Sequence, residues 1–387
     1  MLKPTKRDFL VGSSVLVAGA LVGARATFGQ PKERPLGQVQ DELRKLVPDI
    51  MRRHKVPGLS LALAREHEIV WAEAFGVRDK EANLPLTPET VFEAASLSKP
   101  SYAYVVLKLA EQGKLSLERP LVEYLGRDLN PSEPRFKEIT PRHVLSHTSG
   151  IEPQPGEGRA PKLNFAPGER FEYSPHGFDI LQLAVEQAAG EKITPMMERM
   201  LLKPFGMTRS AYGWSEEFAK SGARGYDDKG EHKKTFNERV WRLSPEERAK
   251  ALAPYPLESV PNAAAGLHAT PSDYARFLVE ATRAGKDKDD AHLSAGMLSD
   301  MLTPHVRVDK FESLSWGLGF GLQHPRSGPK SFWHWGDWGI FQHYAVAYRE
   351  DGSALVVMTN SNGLAACREV VQGALGREQP AFDWLMG

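Results

Sequence analysis

The chain has 387 residues, 41% of them apolar, and its 49 lysines and arginines balance 49 acidic side chains. A formal charge of zero gives no electrostatic case for binding nucleic acid or an anionic membrane surface, and a single cysteine, Cys367, excludes an internal disulfide framework. The length exceeds one small core and suits two closely packed subdomains, and no internal repeat of solenoid period is present.

At the N-terminus, Lys3, Lys6 and Arg7 precede an apolar run from Leu10 to Val22, and Ala24-Arg25-Ala26 fits a small-x-small cleavage site. This pattern predicts a signal peptide over residues 1–26 and export to the periplasm. The run is too short to span a bilayer comfortably. Lys6-Arg7-Asp8-Phe9-Leu10 is similar to a twin-arginine motif with its first arginine replaced, which leaves the export route open. Leu36 to Met51 carries Val39, Leu43, Leu46 and Ile50 at helical spacing, with a kink expected at Pro48. Leu59 to Ala64 and Ile69 to Phe75 flank a polar turn and predict a hairpin.

The stretch Phe92-Glu93-Ala94-Ala95-Ser96-Leu97-Ser98-Lys99-Pro100 sets a serine three residues ahead of a lysine, at the mouth of an apolar helical pattern. Positions i and i+3 share a helix face, which brings the Ser96 hydroxyl within reach of the Lys99 amine. Serine alone is a poor nucleophile, and a lysine serves as its base when desolvation or nearby positive charge favours the neutral amine. Ser327 and Lys330 repeat the spacing, but Gly328-Pro329 between them reads as a turn without a shared face. After Ser96 a buried stripe follows at Tyr102, Val105, Val106 and Leu109, with Gly113 as its stop.

Further along, a Pro/Gly loop from Phe165 ends at Tyr173 and Ser174, and a new apolar periodicity opens at Phe178, Leu181, Leu183 and Val185. The middle of the chain reads as loop-rich and helical, and its portion from Asp227 to Leu257, dense in charge, reads as a solvated excursion. Trp333-His334-Trp335-Gly336 begins a run of strand-like segments, continued by Tyr344 to Tyr348 and Ala354 to Thr359 about the turn signal Asp351-Gly352. Strands from both chain ends around a helical insertion predict an α+β fold with one antiparallel sheet flanked by helices. Residues 27–100 and 262–387 would form the α/β part and residues 101–261 a mostly helical inserted subdomain.

In this order, Ser96-x-x-Lys99, Tyr173 and His334-x-Gly336 resemble the serine β-lactamase and D,D-peptidase superfamily, specifically its class C-like and esterase branch. That branch carries S-x-x-K, then Y-x-N, then K-T-G or H-x-G. The segments Ile139 to Gly150, Pro204 to Met207, Ala265 to Asp273 and Trp316 to Phe320 look like the same family, so the resemblance spans nearly all of the chain after the signal segment. It implies a site between the sheet's edge strand and the helical subdomain. It also implies that Ser96 attacks a carbonyl to form an acyl-enzyme while Lys99 and Tyr173 share the proton work, Tyr173 activating the deacylating water as a phenolate favoured by the Lys99 charge. The backbone amides of Ser96 and of Asp337, just past His334-Trp335-Gly336 on the expected edge strand, would form the oxyanion hole. His334, Gly336 and Asp337 are therefore the substrate-binding candidates.

Two departures from the family pattern bear on substrate. Ser174 and Pro175 follow Tyr173, so the asparagine carboxamide is missing, and proline offers no such donor. His334 stands where a lysine would supply fixed positive charge. Both favour an esterase, or an amidase or peptidase with unusual substrates, over a β-lactamase or D,D-carboxypeptidase. The missing asparagine also keeps open a catalytically slow sensor or binding member of the same fold. The expected partner is a small-molecule ester or amide, with no cofactor and no metal; no G-x-S-x-G elbow, nucleotide loop or H-E-x-x-H pattern occurs. His143 and His147 read as structural hydrogen-bonders, and His176, close after Tyr173, as a surface loop histidine in preference to a pocket-lining one. Trp316, Phe320, Trp335 and Trp338 fit an apolar acyl pocket or core packing equally.

Overall fold

The computed structural model of the protein describes residues 34–154, 156, 158–253, 261–285, 290–308, 311–326 and 328–387. The expected signal peptide over residues 1–26 and the second serine motif's Ser327 lie outside them.

Among the described residues, nine antiparallel strands make the main sheet: β1 (Gly58–Arg65), β2 (Glu68–Asp79), β3 (Leu84–Pro85), β4 (Val306–Arg307), β5 (Leu314–Trp316), β6 (Gly321–Gln323), β7 (Ser331–Asp337), β8 (Gln342–Tyr348) and β9 (Ser353–Thr359). Their spatial order is β3-β2-β1-β9-β8-β7-β6-β5-β4, so strands from the two ends of the chain meet where β1 pairs with β9, Leu59 opposite Thr359. The α+β architecture with one sheet built from both ends follows the sequence pattern. The hairpin does as well, closing through Glu66 and His67, both at positive φ as a tight two-residue turn requires.

Alternation along β1 explains its two buried faces. Leu59, Leu61 and Leu63 pack with Val39, Leu43 and Val47 of helix Leu36–His54 and with Val370 and Val371 of helix Leu364–Leu375. Ala62 and Ala64 point the other way, where their small size admits helix Pro271–Ala281. Each fully buried leucine contributes about 2 kcal/mol. The first helix runs on through Pro48 to His54, and Lys55 caps it at φ 55°. Leu46, which its spacing placed on the buried stripe, is exposed, and Val47 takes that place.

Among the described residues, the segment 101–261 contributes no strand to this sheet. Helix Ser98–Glu111 leads into it, buried along almost its whole length, and helix Pro175–Ala189 packs beside it. The charged excursion differs from its sequence reading. It holds helices Phe236–Trp241 and Pro245–Leu252, and the first is tied inward because the Thr235 hydroxyl donates to the buried Glu93 carboxyl, at 2.9 and 2.7 Å. Charge density conceals this anchor because the linking side chain is a neutral threonine at the helix N-cap.

Candidate active site

The turn carrying Ser96 is fixed from several directions. The short strand Phe92–Glu93 pairs with Leu267–Ala269, and Ala94 N–H donates to Leu267 O at 2.9 Å. His343 on β8 accepts from Thr359 N–H at Nδ1, which leaves Nε2–H to donate to Glu93 O at 2.9 Å. Ala95 then adopts φ 50°, a left-handed conformation that costs a non-glycine residue about 1–2 kcal/mol and persists only where surroundings enforce it. The enforcement is visible: the Ser98 hydroxyl donates to Ala95 O at 2.7 Å and accepts from Leu267 N–H, and the Tyr274 hydroxyl donates to Leu97 O at 2.9 Å. Ser96, in the 3-10 turn Ala95–Leu97, is left partly exposed.

Lys99, three residues on, is the second residue of helix Ser98–Glu111 and is buried. Its Nζ lies 3.0 Å from Ser96 Oγ and donates to Ala264 O at 2.9 Å. Burial pushes the Lys99 amine down to about 7, with Asp179 opposing the fall. Near neutral pH much of it is therefore uncharged, with a lone pair available to the serine proton.

Tyr173 comes from the loop ahead of helix Pro175–Ala189, whose N-cap is Ser174: its hydroxyl accepts from Gly177 N–H at 3.0 Å, and Pro175 fills the first helical position. The Tyr173 ring lies 4.3 Å from the His147 ring and 4.5 Å from Trp335. Burial pushes the phenol well above its ordinary pKa. Its buried hydroxyl forms no hydrogen bond of ordinary geometry among the described residues, although Ser96 is near enough to oppose part of that rise. Lys99 Nζ sits over the face of the ring, 5.0 Å from its centroid. This runs against the expectation of a phenolate favoured by Lys99: near neutral pH the phenol keeps its proton, and the group that titrates near neutrality is the amine.

The strand carrying His334, Gly336 and Asp337 is not the sheet's edge. β7 lies between β8 and β6, but β6 pairs only with Ser331, Phe332 and Trp333, so the strand beyond Trp333 is open on that side. β6 escapes a sequence reading because three residues, Gly321-Leu322-Gln323, are too few to display alternation. His334 is fully buried, stacked on Trp335, and its Nδ1–H donates to Trp335 O at 2.7 Å. Burial, with Lys99 nearby, pushes it down to about 3, so it is neutral and offers no positive charge to a substrate. Gly336 serves a close approach: a Cβ there would fall 2.5 Å from Ala94 O. Gly336→Ala is expected to push β7 off the serine turn and lower kcat/KM on an ester about 100-fold. An unchanged rate would show that the approach has slack.

Ser96, Lys99 and Asp337 line one cavity of about 370 Å³, together with His176, Asp179 and Trp338. His334, Gly336 and Tyr173 stand outside its lining. Three of the wall residues that the sequence reading did not assign to the site bear on its chemistry. His176, expected on a surface loop, is buried in the first turn of helix Pro175–Ala189, and Asp179 is three residues on, sharing its face. That i, i+3 spacing after Tyr173 was the available signal. The third, Phe236, comes from the tied-in excursion. Among the described residues no arginine lines this cavity, and Lys99 is its only lysine. Of the four aromatics, Trp316 and Phe320 are core, Trp335 packs on Tyr173, and Trp338 reaches the cavity.

A family profile described as Beta-lactamase matches residues 43–374. Among curated proteins, the chain is 27% identical over 363 residues to Esterase EstB of Burkholderia gladioli, covering 80% of this chain and 88% of the esterase. It is 24% identical over 208 residues to Protein flp of Staphylococcus aureus, covering 49% of this chain and 42% of that protein. Among solved structures, the octameric penicillin-binding protein homologue from Pyrococcus abyssi aligns with a TM-score of 0.67 at 25% identity, over 87% of this chain and 77% of that one. A class C beta-lactamase aligns with a TM-score of 0.71 at 19% identity, over 90% of this chain and 100% of that one, a likeness of fold alone.

Proposed function

The chain belongs to the Beta-lactamase family and is a serine hydrolase acting on esters or amides, and from that premise we propose that Ser96 is its nucleophile, Lys99 its base and a neutral carboxylic ester its preferred substrate. The observation that carries the proposal is the 3.0 Å contact between Lys99 Nζ and Ser96 Oγ at the wall of a cavity, with the amine held down to about 7. As Oγ bonds to the substrate carbonyl carbon, its proton passes to Nζ and the carbonyl oxygen becomes an oxyanion, stabilised by the amides of Ser96 and Asp337. Collapse breaks the bond to the leaving alkoxide, which takes a proton through the Tyr173 phenol, resupplied from the Lys99 ammonium. Water then attacks the acyl-enzyme by the same route in reverse, releasing acid and free serine.

The cavity wall supports ester preference. Among the described residues a substrate carboxylate finds no arginine there, and Lys99 is already engaged by Ser96 and Ala264. Neutral His334 and donorless Pro175 supply nothing in their place. A panel of short-chain nitrophenyl esters, D-amino-acid amides and a chromogenic cephalosporin tests this. Esters are expected to be hydrolysed with kcat/KM about 1,000-fold above the cephalosporin. Equal or faster cephalosporin hydrolysis would reverse the assignment, and a stable acyl adduct without turnover would favour a sensor.

Residues 101–261 supply His176, Asp179 and Phe236 to the cavity, which supports treating them as a helical subdomain closing the site. The basic N-terminal segment, apolar run and small-x-small site support export to the periplasm. No described helix is long and apolar enough to cross a membrane.

A further inference from the structure

We propose that His147 is the positioning residue that aims the Tyr173 phenol at Ser96, by gripping the chain on both sides of that tyrosine. This rests on the proton-transfer role of Tyr173 given above. The grip has two hydrogen bonds from one residue: His147 O accepts from Glu172 N–H at 2.9 Å, and His147 Nδ1 accepts from Ser174 N–H at 3.1 Å. Between these anchors the imidazole lies against the phenol, centroids 4.3 Å apart and planes 35° from parallel. Tyr173 is thus fixed in position along the chain by its two neighbours and in ring tilt by a flat partner.

His147 is itself immobilised. It is 1% exposed, and Phe171, Phe178 and Trp316 surround its ring at 5.2–5.9 Å. Its loop is held as Thr148 N–H donates to His143 O and Gly168 N–H donates to Thr148 O. Its backbone sits at φ 56°, a left-handed conformation retained only where surroundings over-determine it. Accepting at Nδ1 fixes the neutral Nε2–H tautomer, and burial beside Lys99 pushes its pKa well down, so His147 carries no proton to or from the reaction. Its effect on rate passes through Tyr173.

The experiment compares Tyr173→Phe, His147→Phe, the double variant and His147→Asn, with kcat expressed per site titrated by a fluorophosphonate. Tyr173→Phe is expected to lower kcat about 100-fold. His147→Phe removes the acceptor for Ser174 N–H but keeps a flat ring, and should lower kcat by a similar factor with KM within about twofold, because ground-state binding is untouched. The double variant should be no slower than Tyr173→Phe, since both act on one group. His147→Asn places an amide oxygen near the Nδ1 position and tolerates positive φ, so kcat should return to within about tenfold of the parent.

Multiplicative losses in the double variant would overturn the inference. So would a His147→Phe protein with fewer titratable sites but parental kcat at each, the mark of a purely structural role. If His147→Phe does not fold, His147→Asn decides: a loss of about 100-fold per site there also overturns it. A Tyr173→Phe enzyme of full activity would instead remove the underlying role of the phenol, a result separable from the others.

Discussion

Ser96→Ala is expected to lower ester hydrolysis by about 10⁴-fold or more, since without Oγ no acyl-enzyme forms and the remaining groups offer only binding and polarisation. The fold should persist, because the turn is held by Ala94, Ser98, Tyr274 and His343 rather than by the serine hydroxyl. Intact-protein mass spectrometry after fluorophosphonate treatment should show an adduct on the parent and none on the variant. Retained turnover, or labelling at another residue, would reject the assignment of the nucleophile.

Lys99→Met is expected to lower kcat/KM about 1,000-fold, within the range of lost general-base catalysis. The parent's pH profile should carry the same group's signature. Because the competent form is the neutral amine and the pKa is held near 7, kcat/KM should fall tenfold per unit of pH below about 7 and level off above it. Stability should rise with pH as well, but over the window above that limb. A lysine whose folded pKa lies below its ordinary value of 10.5 binds fewer protons folded than unfolded between about 7 and 10.5, so its destabilising effect is full below about 7 and fades as pH rises through that window. Lys99→Met should therefore melt above the parent at pH 6, with a smaller gain at pH 9. A flat acid limb, or a variant less stable at pH 6 than at pH 9 relative to the parent, would show that the amine is not held near neutrality.

Short-range pattern made the core of this site legible. Ser96 and Lys99 are three residues apart, and the strands about Asp351-Gly352 announce themselves by composition and turn. What remained hidden depends on contacts between distant segments. The open half of β7 is defined by where β6 stops pairing, and neither strand states that in its residues. Tyr173 was placed by motif order, but its protonation follows from burial beneath Trp335 and beside His147, which spacing does not report. Likewise the left-handed Ala95 occupies a position that composition would give to glycine, and only the bonds around it explain its tolerance.

The seam between β1 and β9 has a consequence for biogenesis. Leu59 and Thr359 are paired yet 300 positions apart, so the first hairpin emerges from the ribosome long before its neighbour exists. Until the last strands are synthesised, β1 presents an unpaired, leucine-rich margin open to association with other chains. Assembly must wait for nearly the whole polypeptide, and so must the cleft, whose two walls lie on either side of that delay. The nascent enzyme is inert by topology, and its folding belongs with the slow, non-local class.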